Sequence, residues 1–337
     1  MMTFGPTSEE REFQDAIRTF FSKEHGIQAV RQHYGRAGEA CAGVLDSCRE
    51  FGIFEWVQVG GIRAVALLAR EVGRSLLPAP LVSDVFWGVL VASILPISPW
   101  EVGSVLEGKI RVAGMTDEIR VGGFVEGVVG AQLVVRACLD ADELLVFQPA
   151  EETFELAPII DGSMVVGRLS AELLQQSSRV TLPVGSARLV GAWWQICHAA
   201  QLIGAAERCV ELFQAHGKTR HQFGAPIAGF QAVQQQAAAH FAQLSAASAL
   251  CSFAEWCAVH DRSQLEHAAT SALVYAARIC RPLAEVMVQI HGGIGFTWEY
   301  DLHLYLRRIM AIEFLYGRAT LETVSEMLRS DDGACCI

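Results

Sequence analysis

Apolar residues recur at helical spacing over roughly the first hundred positions, give way to short β-branched runs in the middle of the chain, and return to helical spacing beyond them. Thr7-Ser8-Glu9-Glu10 has the form of a capping box: the Thr7 hydroxyl meets an early amide while Glu10 reaches back. Phe13, Ile17 and Phe20 follow at helical spacing, so the chain is expected to open with a helix. The helical pattern continues to about Glu107, punctuated by Gly60-Gly61, Pro78, Pro80, Pro96 and Pro99. From Lys109 to about Pro183 the runs Phe124-Val125, Leu133-Val134-Val135 and Leu144-Leu145-Val146-Phe147 read as strands, separated by Gly122-Gly123, Gly130 and Asp140-Ala141-Asp142. Beyond Ser186, Leu189, Trp193, Ile196, Ala200, Ile203 and Val210 predict one long helix, and Leu265 through Ile290 another, packed as a bundle. The expected class is α+β, mainly α, in three units: a helical domain over 1–108, a small β domain over 109–185 and a helical bundle over 186–337. The glutamine and alanine run Gln234 to Ala239 is most simply helix.

Composition narrows the function classes. With 337 residues, 52% hydrophobic and 19% charged, the chain buries substantial cores and is not a disordered segment. Its net charge of −11 argues against a broad basic surface for nucleic acid or anionic lipid, so a phosphate-bearing ligand must be met locally. The ten cysteines are scattered without a C-x-x-C pair, as expected of reduced thiols in the cytoplasm. Acidic residues come at once in Met1 to Glu12, unlike a signal peptide, and the most apolar run, Val85 to Ile97, is too short to cross a bilayer. The high apolar share instead predicts large contacts with other subunits. No histidine spacing forms a metal motif, and no metal site is expected. Gly292-x-x-Gly295 follows a helical pattern instead of a strand, which separates it from phosphate-binding loops.

Two segments carry a resemblance. Arg220-His221-Gln222-Phe223-Gly224-Ala225-Pro226-Ile227, continued by Phe230-Gln231 and Gln234, and Gln289-Ile290-His291-Gly292-Gly293-Ile294-Gly295-Phe296 together resemble the acyl-CoA dehydrogenase family, which has the same helical, β, helical order. Phe51-Gly52-Ile53-Phe54 and Glu71-Val72-Gly73-Arg74 echo its first domain. The resemblance implies FAD chemistry, in which a carboxylate takes the α-proton of a CoA thioester while the β-hydride passes to the flavin. It also implies that the two segments reach across a subunit interface to the partner's FAD, and assigns Arg220, Gln222, Phe223, Gln231, Gln289, His291, Gly292 and Gly293 to cofactor binding. The residue types suit cofactor binding. Arg220 offers a planar fork to a pyrophosphate, Gln222 and Gln231 offer amides, Phe223 covers a ring, and Gly292-Gly293 admits close approach. Read without the resemblance, Phe223 and Phe230 also fit a core and Gly292-Gly293 a helix end.

The same register shows departures. The family's base falls on one of two positions, here Tyr316, just before Gly317, and Trp194 on the helix preceding Arg220. Neither is a carboxylate, and using a phenol of pKa ~10 as a base at pH 7 costs about 4 kcal/mol before any chemistry. Glu313, three residues before Tyr316, is the nearest substitute and would share a face with it on a helix. Arg318-Ala319-Thr320 replaces the small hydroxyl and amide residues that in the family touch flavin. The family's T-E-P-x-x-G-S-D-like loop is missing or shortened, since Val112 to Glu118 passes directly to Val121-Gly122-Gly123-Phe124, leaving Thr116 and Asp117 as a remnant.

A chain that keeps the adenosine clamp and lacks the base and ring cradle looks like half of a shared site. This resembles the α2β2 acyl-CoA dehydrogenases of actinobacterial steroid side-chain breakdown. The expectation is a cytoplasmic subunit with no catalytic residue of its own, partnered by a homologous subunit, an acyl-CoA substrate and an electron-transfer acceptor, without nucleic acid or membrane. Two alternatives stay open: a flavin-dependent monooxygenase of the same fold, and a structural or regulatory subunit that binds no flavin.

Overall fold

The computed structural model describes residues 5–92, 102–117, 123–149, 154–169 and 176–317. The Thr7 capping box is formed, with Glu10 N–H donating to Thr7 Oγ1 at 3.2 Å and Thr7 N–H donating to the Glu10 carboxylate at 2.7 Å. It starts α1 (Ser8–Glu24), which is followed by α2 (Ile27–Gln32), α3 (Ala37–Glu50) and α4 (Ile53–Ser75). The glycine pair breaks α4 without ending it: Gly61 adopts φ +60°, a conformation costly for other residues. α5 (Leu81–Ser83) runs into a π-helical stretch, Asp84–Val91, and α6 is Val102–Leu106.

The middle of the chain holds two small sheets. One has β1 (Val112–Thr116), β3 (Leu133–Cys138), β4 (Glu143–Phe147) and β7 (Ser178–Thr181) in that order, with β1 and β3 parallel and the other pairs antiparallel. The other is antiparallel, with β6 (Val166–Arg168) between β2 (Phe124–Glu126) and β5 (Glu155–Leu156). The bundle comprises α7 (Ser186–Thr219), α8 (Gln231–His260), α9 (Leu265–His291) and α10 (Leu302–Ile312), the last ending in a π-turn, Glu313–Gly317. The sequence-derived class, mainly helical with a small β region in the middle, is the class observed.

The parts share one apolar core. α4 crosses α7 so closely that a Cβ at Gly73 would overlap the Gln201 carbonyl, and one at Gly204 the Arg70 carbonyl, so glycine is what lets the two backbones meet. Arg70 pairs with Glu207 beside that crossing, and Arg74 pairs with Glu211. The β region is tied to the helices by a buried ion pair between Arg308 on α10 and Asp161, whose neighbour Ser163 accepts from Arg308 Nη2 at 2.9 Å. Arg111 Nε donates to the buried Asp84 carboxylate at 3.0 Å. Removing one partner of such a pair strands a buried charge at a cost of about 3–5 kcal/mol.

Candidate functional site

The two motif segments lie at the ends of the bundle's longest helices. α7 ends at Thr219, and Arg220 to Pro226 form a hairpin, β8 (His221–Gln222) against β9 (Ala225–Pro226), closed by Ile227 N–H donating to the Arg220 carbonyl at 2.9 Å. Its two-residue turn is Phe223-Gly224, with φ +50° and +81°. Positive φ at both central residues suits hairpin twist, but for phenylalanine it is strained, and the side chain gains nothing within the chain, being 96% exposed. The core alternative for Phe223 is therefore excluded, whereas Phe230 is half-buried and meets Phe223 edge-on at 6.3 Å. Arg220, Gln222 and Gln231 are exposed too, and the Arg220 guanidinium makes no hydrogen bond or ion pair among the described residues.

α9 ends at His291, where Gly292 turns the chain with φ +66° into a 3₁₀ turn, Gly292–Phe296. A Cβ at Gly292 or Gly293 would meet nothing within 4 Å, so their backbone faces open space, and Gln289 is exposed beside them. His291 behaves differently: its ring turns inward, 6% exposed, and is engaged by Met287 and Tyr300. Among the residues assigned to cofactor contact it is the one whose side chain faces the interior. The two segments come together through it, since the His291 ring stacks on His216 at 4.3 Å, one turn before Arg220. Burial lowers the His216 pKa, with His291 and Arg220 adding to the shift, so Arg220 stands as the local positive charge.

The two positions at which the resemblance led the base to be expected meet elsewhere, inside the protein. Trp194 on α7 and Tyr316 on the final π-turn are 2% and 5% exposed. Trp194 packs on Phe86 at 4.7 Å and Trp87 at 5.4 Å, and Tyr316 stacks flat on His198 at 3.4 Å with rings 11° apart. Five aromatic rings thus fill the space between the π-helical stretch, α7 and the final turn. Burial raises the Tyr316 hydroxyl well above its ordinary value and pulls His198 down to about 3. Nothing in this cluster takes up a proton near neutrality.

Glu313 does not share a face with Tyr316. The expectation assumed α-helical winding, but Glu313–Gly317 is a π-turn with more residues per turn, so Tyr316 points inward while Glu313 faces outward. Glu313 lines a crevice of about 240 Å³ with Phe124, Ile159, Ile160, Met310 and Phe314, and pairs with Arg281 Nη1 at 3.6 Å. Arg318 to Thr320 and the stretch 118–122 lie outside the described residues.

Sequence reasoning passed over another acid, Glu126 on β2. It sits in a narrow crevice beside Cys41, Pro80 and Ser163, keeping some solvent contact while protein surrounds it, and burial pushes its pKa up to about 7. Its charge acts on Tyr316, and Arg308, Asp161 and Asp84 act on it. Its position in a short β-branched strand gave no signal of this, because the cluster is assembled from four separate parts of the chain. Among the described residues no group of three or more His, Cys, Asp or Glu side chains could hold a metal ion.

The family model for the acyl-CoA dehydrogenase C-terminal domain matches residues 192–323. The chain is 28% identical over 341 residues to the acyl-CoA dehydrogenase IpdE2 of Mycobacterium tuberculosis, covering 96% of each. Among solved structures it is similar to the steroid ACAD Tcur3481-Tcur3483, with a TM-score of 0.80, 20% identity and coverage of 98% of this chain and 100% of that one. It is also similar to the ChsE4-ChsE5 complex from Mycobacterium tuberculosis, with a TM-score of 0.70, 16% identity and full coverage of both chains.

Proposed function

The chain belongs to the acyl-CoA dehydrogenase family, and from that premise we propose that it is the subunit of a heteromeric FAD-dependent dehydrogenase that holds part of the FAD while a homologous partner supplies the catalytic carboxylate. The observation that carries this is the aromatic cluster: both base positions are non-ionising at neutral pH and packed among Phe86, Trp87 and His198, leaving no room for an acyl chain. An open half-site offers the complement, with Arg220, Gln222, Phe223 and the Gly292-Gly293 backbone facing outward.

These residues fit the dinucleotide part of FAD. Arg220 has a free planar fork for a pyrophosphate, Gln222, Gln231 and Gln289 offer amides, and Gly292-Gly293 lets a flat group approach the backbone. When bound, FAD supplies the acceptor for the hydride that leaves the CoA thioester. This chain's part is binding and water exclusion: Arg220 neutralises phosphate charge and Phe223 covers a ring face. The proton at the α-carbon goes to the partner's carboxylate.

A homologous partner is supported by α8, which has no charged residue from Gln231 to Ala254 yet exposes Ala238, Ala239, Phe241, Ala242 and Ala246. Contact with another chain there would cover Phe241, which is 54% exposed, without stranding a charge. Resemblance to a steroid ACAD favours a steroid side-chain CoA ester as substrate, the family resemblance an electron-transfer protein as acceptor, and the scattered thiols the cytoplasm as location. Among the described residues no single helix is long and apolar enough to cross a membrane. A flavin monooxygenase also works without a base, but it needs an open cavity at the place that the aromatic cluster fills.

Coexpression with a homologous acyl-CoA dehydrogenase subunit, followed by counting flavins per chain, tests the proposal. The expected result is a coloured heteromer with fewer than one FAD per chain, and a colourless or insoluble product from this chain alone. A yellow homotetramer with one FAD per chain and full activity on an acyl-CoA would overturn it.

A further inference from the structure

Three rings sit beneath the junction of the two exposed segments. His216 and His291 stack with centroids 4.3 Å apart, and Tyr300 lies 4.9 Å from His291 and 6.0 Å from His216. His291 Nδ1 is 2.6 Å from the Met287 carbonyl and Nε2 is 3.0 Å from the Tyr300 hydroxyl. A carbonyl only accepts, so the neutral ring carries its proton on Nδ1, and Nε2 accepts from Tyr300. The same hydroxyl lies 3.4 Å from the Leu212 carbonyl of α7, an alternative acceptor for its single proton. Leu212 lies one turn before His216, whose own carbonyl accepts from Arg220 N–H at 2.8 Å. A continuous path therefore runs from Arg220 through the last turns of α7 and the three rings to the residue before Gly292. The turn beyond it is pinned as well, since a Cβ at Gly295 would lie 2.7 Å from the Val288 carbonyl.

We propose that His216, His291 and Tyr300 form a brace that fixes the spacing between the Arg220 guanidinium and the Gly292-Gly293 backbone, making them positioning residues for the dinucleotide phosphates. The inference rests on the FAD assignment above and adds how the clamp is held. Arg220 and Gly292-Gly293 are exposed and belong to segments separated by two long helices. A clamp for one ligand requires their separation to be set before the ligand arrives, or its ordering is charged against affinity. The histidine pair is half-buried to buried, uncharged and placed between them, so it fixes geometry without adding charge of its own.

The test is FAD dissociation from the coexpressed complex, followed by the rise in flavin fluorescence on dilution, for His291→Ala and Tyr300→Phe, each alone and combined with Arg220→Lys. Arg220→Lys keeps the charge and loses the fork, so bound FAD stays measurable. The expected result is release about tenfold faster for each brace variant with Arg220 present, and less than about twofold further acceleration in the Arg220→Lys background, because a brace that acts through Arg220 is coupled to it. His291→Gln, which restores a group able to meet Tyr300, is expected to recover part of the loss. Equal acceleration in both backgrounds would make the rings ordinary packing and overturn the brace, as would no acceleration in either. Should Arg220→Lys itself leave release unchanged, the clamp assignment fails and the brace with it. Fast release from Arg220→Lys with silent brace variants keeps the clamp and removes the brace. If His291→Ala fails to assemble, Tyr300→Phe, which removes a single oxygen, decides alone.

Discussion

The indole of Trp194 and the phenol of Tyr316 meet edge to face with ring centroids 6.0 Å apart, although they come from α7 and from the final π-turn. They are the two positions at which the family's carboxylate is expected, and their meeting is what a common target demands: a base on either element must reach the same carbon. Neither side chain offers a carboxylate there. Around them Phe86, Trp87 and His198 complete a packed aromatic core.

Returning a carboxylate to this place is expected to destabilise the chain without creating activity. Tyr316→Glu sets an unpaired acid beside His198, whose ring resists protonation, and within reach of the charge on Glu126. Such an acid stays protonated instead of acting as a base. Trp194→Ala removes a large buried ring at a cost of about 3–5 kcal/mol. Denaturant midpoints of the coexpressed complex check both, and flavin reduction by Tyr316→Glu faster than the wild-type complex would show the place to be usable.

Arg220→Ala is expected to weaken FAD retention by roughly tenfold to a hundredfold, the worth of a charge-assisted hydrogen bond of about 1.5–3 kcal/mol. The fold should be unmoved, since the guanidinium is exposed and makes no hydrogen bond or ion pair among the described residues. Flavin content and circular dichroism of the purified complex separate the two effects. Unaltered FAD occupancy would make the motif a relic.

Much of this architecture was legible in periodicity. The capping box at Thr7, the strand runs around Leu133 and Leu144, and the long helices through Trp193 and Leu273 each follow from one local pattern and form where it places them. What escaped was non-local or off-period. The π-helical winding at Asp84–Val91 and Glu313–Gly317 obeys no 3.6-residue pattern, which is why Glu313 and Tyr316 part company. His291 read as a contact residue because it stands in the motif beside Gly292 and Gly293; its ring is turned inward by Met287, His216 and Tyr300, all of which lie outside that motif. Glu126 and His198 acquire their character from burial by distant elements, which no window of sequence contains.

Glu313→Gln is expected to leave turnover of the complex within a few-fold. Its carboxylate faces the outer crevice, and the Arg281 contact at 3.6 Å is a partly exposed pair worth about 0–1 kcal/mol. Losing a true general base costs on the order of a hundredfold or more. The steady-state rate with a steroid side-chain CoA ester and an artificial acceptor, measured beside flavin content, decides it. Abolished flavin reduction with FAD still bound would put the base in this chain and reverse the division of labour between subunits.

Stability should fall on both sides of mildly acidic pH, through identifiable groups. Burial pushes Glu255 and Glu126 up to about 7, so the folded chain keeps protons that the unfolded chain gives up near the ordinary carboxylate value. Their contribution is fully present below about pH 4.5 and is lost as pH rises through about 7. His198 works in the opposite sense. Held down to about 3, it refuses a proton that the unfolded chain takes up near 6.5, so its contribution is present above that value and is lost as pH falls toward 3. Glu255→Gln keeps an acceptor for the Cys251 thiol, which lies 3.5 Å from the carboxylate, and should flatten the decline between pH 4.5 and 7. His198→Phe keeps the stack on Tyr316 and should flatten the acid limb instead. Urea midpoints across pH 4 to 8 for wild type and both variants give the slopes. Parallel curves for wild type and His198→Phe below pH 6 would show that this ring takes up its proton in the folded protein, and that the aromatic cluster admits water.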